Sequence, residues 1–180
     1  MGKVLEALDD ELISWISEQQ VFFVASAPSE GGHVNVSPKG HDSLRVVSPI
    51  EVAYLDLTGS GAETIAHTRE NGRITVMFCA FSGPPQILRL FGRGEAHPVG
   101  SERFDELAPR FDLLPGARSI ITVAIERVQT SCGYSIPFMD YRDERPTLQQ
   151  WATRRGDDGL AQYWAERNAQ SIDGLPALDS

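Results

Sequence analysis

Residues 73–81 read Arg-Ile-Thr-Val-Met-Phe-Cys-Ala-Phe, and this stretch decides the fold. Ile74, Val76, Phe78 and Ala80 alternate onto one face; Met77, Cys79 and Phe81 fall on the other. A strand apolar on both faces is covered on both sides. One cover is a barrel interior. In a chain of 180 residues the outer one is expected to be a second subunit.

Working outward, Asn71-Gly72 is a helix stop and closes a helix predicted over 62–71. Before it, Val52–Leu57 reads as a strand running into Thr58-Gly59-Ser60-Gly61. A small flexible turn at a helix N-terminus can do two things. Ser60 or Thr58 can cap the helix, or the turn can hold a phosphate on its free N–H groups. Further upstream, 4–19 has helical periodicity through Leu5, Leu8, Leu12, Ile13 and Ile16. Val21–Ala27 is a strand, and His33–Ser37 is a second that stops at Pro38. Arg45–Val47 is a third, short one.

Downstream, Gly83-Pro84-Pro85 turns the chain into a long strand, Ile87–Ala96. Gly92 and Gly94 mark bends or bulges in it. Ser101 caps a helix over 101–111, which Pro109 interrupts. Arg118–Val128 is another long strand. Two helical stretches follow near 147–155 and 158–170, and the last ten residues are expected to be disordered. Six or seven strands, mostly in consecutive hairpins, make a mainly β chain: an antiparallel β-barrel with peripheral helices. Neither a repeat nor a linker divides residues 1–180, so one domain is expected. Its core spans about 10–140, with a helical extension near 145–170.

Composition narrows the functions. With 41% hydrophobic and 23% charged residues the chain is ordinary globular protein. A net charge of -9 speaks against nucleic acid or an anionic membrane surface as partner. Two cysteines, Cys79 and Cys132, form no disulfide framework, and both read as small buried residues. With no basic-then-apolar start and no long apolar run, a cytoplasmic, soluble protein is expected. The four histidines stand apart from one another and from cysteine, against a metal site. A Gly-x-Ser-x-Gly elbow, a P-loop and a Gly-x-Gly-x-x-Gly after a strand are all missing.

What remains is an anion site. Lys39 is one of only two lysines, at the end of Asn35-Val-Ser-Pro-Lys39. It is either a solvated loop residue or an anion ligand. Arg89 lies in the apolar run Ile87-Leu-Arg-Leu-Phe91, either snorkelling at a barrel edge or facing an anion.

Five blocks appear in order. They are Asn35–Gly40, Tyr54–His67, Glu70–Phe81, Ile87–Gly94 and Gln129-Thr-Ser-Cys-Gly-Tyr-Ser-Ile-Pro137. Over roughly 10–140 the set resembles the FMN-binding split-barrel proteins related to pyridoxamine 5'-phosphate oxidase. The resemblance implies a split-barrel homodimer with FMN at the interface and both chains contributing. By position it places Lys39 and Ser37 against FMN from the end of the strand. It places Thr58, Ser60, Glu63 and Thr64 at the flavin phosphate or ribityl chain, and Gln129, Ser131, Cys132 and Tyr134 at the flavin from the last strand.

Two departures stand out. Pyridoxamine phosphate oxidases carry a basic pair at the helix start, where this chain has Glu63-Thr64, so Arg89 or Arg73 is left to supply the charge. Their late Arg-x-His is also missing, which speaks against vitamin B6 oxidation itself. The resemblance therefore implies an FMN-dependent oxidoreductase of a small molecule, with no catalytic side chain assigned because the flavin carries the redox chemistry. The alternatives are a flavin-binding or redox-sensing module without turnover, or a barrel holding deazaflavin F420 or heme.

Overall fold

The computed structural model describes residues 2–178 and builds them around one antiparallel sheet. The early elements are β1 (Val4–Leu5), α1 (Asp10–Ser17), β2 (Phe22–Ser26), β3 (Asn35–Lys39), β4 (Leu44–Ser48) and β5 (Glu51–Leu57). After them come α2 (Glu63–Glu70), β6 (Arg73–Cys79), β7 (Ile87–Pro98), α3 (Glu102–Leu107), β8 (Ala117–Ser131) and α4 (Thr147–Arg167). The strand order is β3-β2-β6-β7-β8-β5-β4, with β1 also pairing β8. Lys39, in edge strand β3, reaches Asp56 in β5 beside the other edge. The sheet thus curls until its edges nearly meet, and the fold is a split barrel.

Its interior holds Phe22, Val24, Val76, Phe78, Leu88, Leu90, Tyr54 and Ile121, closed at one end by Leu12 and Ile16 of α1. A second cluster packs Phe104 and Leu107 of α3 against Ala53 and Leu55. So β5 is the strand that this chain covers on both faces. The outer face of β6 is half-exposed at Thr75 and Met77.

Several expectations change. The 4–19 periodicity spans three structures: Leu5 sits in β1, Leu8 donates its N–H to Pro49, and the helix starts only at Asp10. Asp9 caps it, accepting from Leu12 N at 2.8 Å. The strand read as 33–37 starts at Asn35 and runs through Pro38 to Lys39. It tolerates proline because it is an edge strand.

The bulge expected near Gly92 lies between Phe91 and Gly92. A Cβ on Gly92 would meet Ala124 O at 2.1 Å, so the strands approach too closely for any side chain. The two C-terminal helical stretches meet at Gly156, whose φ of 65° breaks α4. Arg155 stacks on Trp151 and Tyr163 across that break. The tail through Leu178 is ordered, not free: Ala177 is fully buried, and Asp173 accepts from His33 N at 2.8 Å. Cys79 is buried as expected, whereas Cys132 is exposed just past β8. Among the described residues no helix is long and apolar enough to cross a membrane.

Candidate functional site: a turn, a groove and an outer face

The site starts from a charge inside the barrel. Asp56 alternates inward from β5 among apolar neighbours and is 1% exposed. Its Oδ1 accepts from Lys39 Nζ at 2.9 Å and its Oδ2 from Arg118 Nε at 2.7 Å. Burial alone would raise this carboxyl; Arg118 and Lys39 outweigh it and hold the pKa at about 2. Lys39 is therefore neither solvated nor a free anion ligand. It is half of a clamp on Asp56, 5.6 Å from the Tyr54 ring centroid.

Arg118 carries the network to the turn. Its Nη1 donates to Gly61 O at 3.0 Å and to Asn168 Oδ1 at 2.8 Å. Asn168 Nδ2 donates to Gly59 O at 3.2 Å. Thr58 Oγ1 donates to Gly116 O and accepts from Trp164 Nε1, both within 2.8 Å. The Thr58 hydroxyl is thus taken up by the protein itself.

Among the described residues no side chain caps α2: its N-cap is Ala62, and neither Ser60 nor Thr58 fills that role. From Gly59 to Ile65 no main-chain N–H finds an acceptor among the described residues. In a trans peptide the C=O and the following N–H point in opposite directions. Holding Gly59 O and Gly61 O on one side therefore turns the N–H groups of Ser60 and Ala62 to the other. That row of donors at a helix start is suited to an anion. Ser60 is exposed there. Glu63 is the local anion: its carboxylate folds back over Gly61 and accepts from Ile172 N at 3.3 Å. Thr64 Oγ1 accepts from Asn35 Nδ2, and Asn35 Oδ1 accepts from Ser37 Oγ. Ser37 and Thr64 are thereby joined through Asn35.

Beside the turn runs a groove of about 830 Å³. Lys39, Thr58 and Gly59 lie along it, Leu55, Leu57 and Phe81 form apolar wall, and the segment 139–148 lines another side. Met139 N donates to Phe81 O at 3.0 Å, and His41 Nδ1 lies 3.2 Å from Glu144 Oε2. The segment is thus tied to the Phe81 side by a main-chain hydrogen bond, with Glu144 close to His41 on the other.

The remaining expected site residues lie elsewhere. Arg89 is on the outer face of β7, donating from Nη1 to Ser131 Oγ at 3.1 Å and paired in register with Gln129. Leu57, before the turn, pairs with Ala117 at the opposite end of β8 from Gln129. Cys132 and Tyr134 are exposed beyond β8. No hydrogen bond or ion pair joins this set to the turn among the described residues. Between them lies a half-exposed outer face carrying Phe23, Met77 and Phe91. Asp56, Arg118, Asn35, Trp164 and Asn168 form part of the site without having been singled out from the sequence. Only the lone charges Asp56 and Arg118 in otherwise apolar strands offered a signal.

A model of the pyridoxamine 5'-phosphate oxidase family matches residues 8–132. The chain belongs to that family. The family protein ustO of Aspergillus flavus is 43% identical over 194 aligned residues, which cover 97% of this chain and 77% of ustO. HupZ of Group A Streptococcus superposes with a TM-score of 0.53 at 21% identity, over 68% of this chain and 98% of HupZ. A Lactobacillus delbrueckii protein described as a candidate pyridoxamine 5'-phosphate oxidase gives 0.53 at 17% identity, over 69% and 94%. At such identities these two structures establish the fold alone. The family match stops at residue 132, so Tyr134, the segment 139–148 and α4 lie outside it.

Proposed function

We propose that this protein is an FMN-binding oxidoreductase of a small molecule, working as a homodimer with the flavin at the interface. The observation that carries this reading is the groove of about 830 Å³ that reaches the turn at Thr58 and Gly59, where a row of main-chain N–H groups without acceptors among the described residues begins. Its size lies within the usual range of small-ligand sites, roughly 300–1,000 Å³. The donor set fits a phosphorylated planar cofactor: apolar wall at Leu55, Leu57 and Phe81, and main-chain donors with Ser60 at the end. These N–H groups stand where relatives use a basic pair.

FMN would supply the hydride chemistry. The residues bind and orient. Ser60 and the turn's N–H groups hold the phosphate. Ser37, Asn35 and Thr64 tie β3 to the start of α2. Lys39, clamped by Asp56, places a positive charge on the groove wall. Residues 139–148 exclude water.

Arg89, Gln129 and Ser131 act from the partner's side of the interface, because they cannot meet the turn of their own chain. The partly exposed Phe23, Met77 and Phe91 face supports the same arrangement, being apolar surface a second copy would bury. An absorption spectrum of the purified protein, with mass spectrometry of the heat-released cofactor, tests the reading. Two flavin bands and the mass of FMN are expected. A colourless protein that fails to take up added FMN overturns it, and the mass of F420 would replace the cofactor.

A further inference from the structure

Asn168 lies outside the segment the family model matches, 109 positions from Gly59, yet it is fully buried against the turn. Its amide is used at both ends. The oxygen accepts from Arg118 Nη1 at 2.8 Å and the nitrogen donates to Gly59 O at 3.2 Å. Arg118 Nη1 in turn donates to Gly61 O. Gly59 O is therefore held by Asn168, the C-cap of α4, and Gly61 O by Arg118 of β8, which Asn168 itself holds. Peptide planarity sends the intervening N–H groups the other way. Without the Asn168 donor, Gly59 O would be left with no side-chain partner among the described residues. The peptide could then rotate and carry the Ser60 N–H out of the row.

We propose that Asn168 is a positioning residue for the anion-binding turn: through Gly59 O, and through Arg118 to Gly61 O, it aims the turn's N–H groups at the ligand phosphate. The C-terminal helix thus completes the anion site of its own chain. This rests on the phosphate reading given above. Asn168 touches no ligand. Trp164 contributes from the same helix by holding Thr58, which fixes where the turn begins.

The test uses the full-length protein and inorganic phosphate as probe, followed through the backbone amide resonances of Gly59, Ser60, Gly61 and Ala62. In the wild type these amides should shift on titration. Asn168→Ala should bind roughly tenfold more weakly, the scale of removing one buried hydrogen bond, while amides of β2 and β6, which Asn168 does not touch, stay unchanged. A merely structural role would move the strand amides or the melting temperature and leave phosphate affinity within about twofold. If Asn168→Ala does not fold, Asn168→Ser, which leaves a smaller cavity, is titrated in its place.

Equal affinity in wild type and variant overturns the proposal, as does a wild-type turn that phosphate does not shift. FMN titrated in parallel separates the two claims. A wild type that takes phosphate at the turn in an Asn168-dependent way but ignores FMN keeps the positioning role and sinks the flavin reading.

Discussion

Asp56 and Arg118 meet at 2.7 Å with their side chains 1% and 5% exposed, and the pair joins β5 to β8 from inside the barrel. Lys39 completes it from β3. Three elements far apart in sequence are thereby pinned beside the candidate cofactor turn. Arg118 is the member with most to lose, since it also holds Gly61 O and Asn168. Replacing it by Met leaves Asp56 with Lys39 alone and strips the turn of a partner. Arg118→Met is expected to cost about 3–5 kcal/mol, as for a buried pair broken from one side. Denaturant unfolding measures it. A loss under about 1 kcal/mol would mean that water or Lys39 compensates.

Acid should act in two separate windows. His67 is fully buried and burial lowers its pKa, so the folded state disfavours the imidazolium. A group of this kind contributes stability that is complete above its unfolded pKa, about 6.5, and is lost progressively as pH falls below it. Asp56 has a depressed carboxyl at about 2. Its contribution is complete above the unfolded value near 4 and is lost as pH falls through 2, roughly 2 kcal/mol in all. Melting temperatures from pH 8 to pH 2 should show a shallow decline starting near 6.5 and a steeper one below 4. Asp56→Asn should abolish the second step while lowering stability at neutral pH. A variant that keeps the steep acid step would assign it to other carboxylates.

Much of the fold was legible because burial imposes period-two patterns on strands. The 73–81 and 118–128 runs, the Gly92 bulge, the Ser101 cap and the gap at Gly156 all follow from local chemistry. What escaped depended on distant partners. Leu5 and Leu8 matched a helical period by chance, and only their pairing with Val128 and Pro49 places them outside the helix. Pro38 stops a central strand but not an edge one, and edge position is a property of the sheet.

The candidate site divides the same way. The turn was visible as small residues between strand and helix. That Thr58 would be taken by Gly116 and Trp164, and Lys39 by Asp56, requires the register of β5 on β8 and the return of a helix from far along the chain. The tail gave little sign of order, because its few apolar residues, Leu175, Ala177 and Leu178, show no period, and its anchoring to the core and to His33, Glu63 and Arg69 depends on partners far along the chain.

Gly92 offers a test of the strand crossing itself. Any Cβ there falls 2.1 Å from Ala124 O and 2.9 Å from Ala124 C, both main-chain atoms that cannot swing aside. Gly92→Ala is expected to destabilise by about 1–3 kcal/mol, the range for overpacking, and to shift the β7–β8 register around the bulge. Hydrogen exchange of Arg93 and Ile125 amides would report it. Unchanged stability and exchange would show that the two strands can part at no cost.

Glu63 carries a prediction about charge. Its carboxylate lies over Gly61, within the turn, and accepts from Ile172 N. A phosphate dianion arriving at the same turn meets that negative charge. Glu63→Gln removes it while keeping an acceptor for Ile172 N. FMN affinity should rise about fivefold, the scale of one partly screened charge pair. Riboflavin, which lacks the phosphate, should bind wild type and variant alike. Fluorescence titration of both flavins gives the ratio, and an equal change for the two would move the phosphate away from α2.

The outer face of β6 and β7 offers a test of the proposed dimer. Phe23, Met77 and Phe91 sit half-exposed in adjacent strands, with Arg89 beside them and Val36 61% exposed at the edge. In register Phe23 pairs with Met77, and Met77 with Arg89, so these side chains form one row across three strands. A charge in the middle of that row leaves the barrel interior untouched, because Val76 and Phe78 point the other way. Met77→Asp is therefore expected to fold and to convert a dimer of 19.8 kDa chains into monomers. Light scattering on the eluting peak gives the mass. Flavin should be lost with the dimer if Arg89, Gln129 and Ser131 act across the interface. A Met77→Asp monomer that keeps stoichiometric flavin would show that one chain suffices, and would assign those three residues to the surface of the sheet rather than to the cofactor.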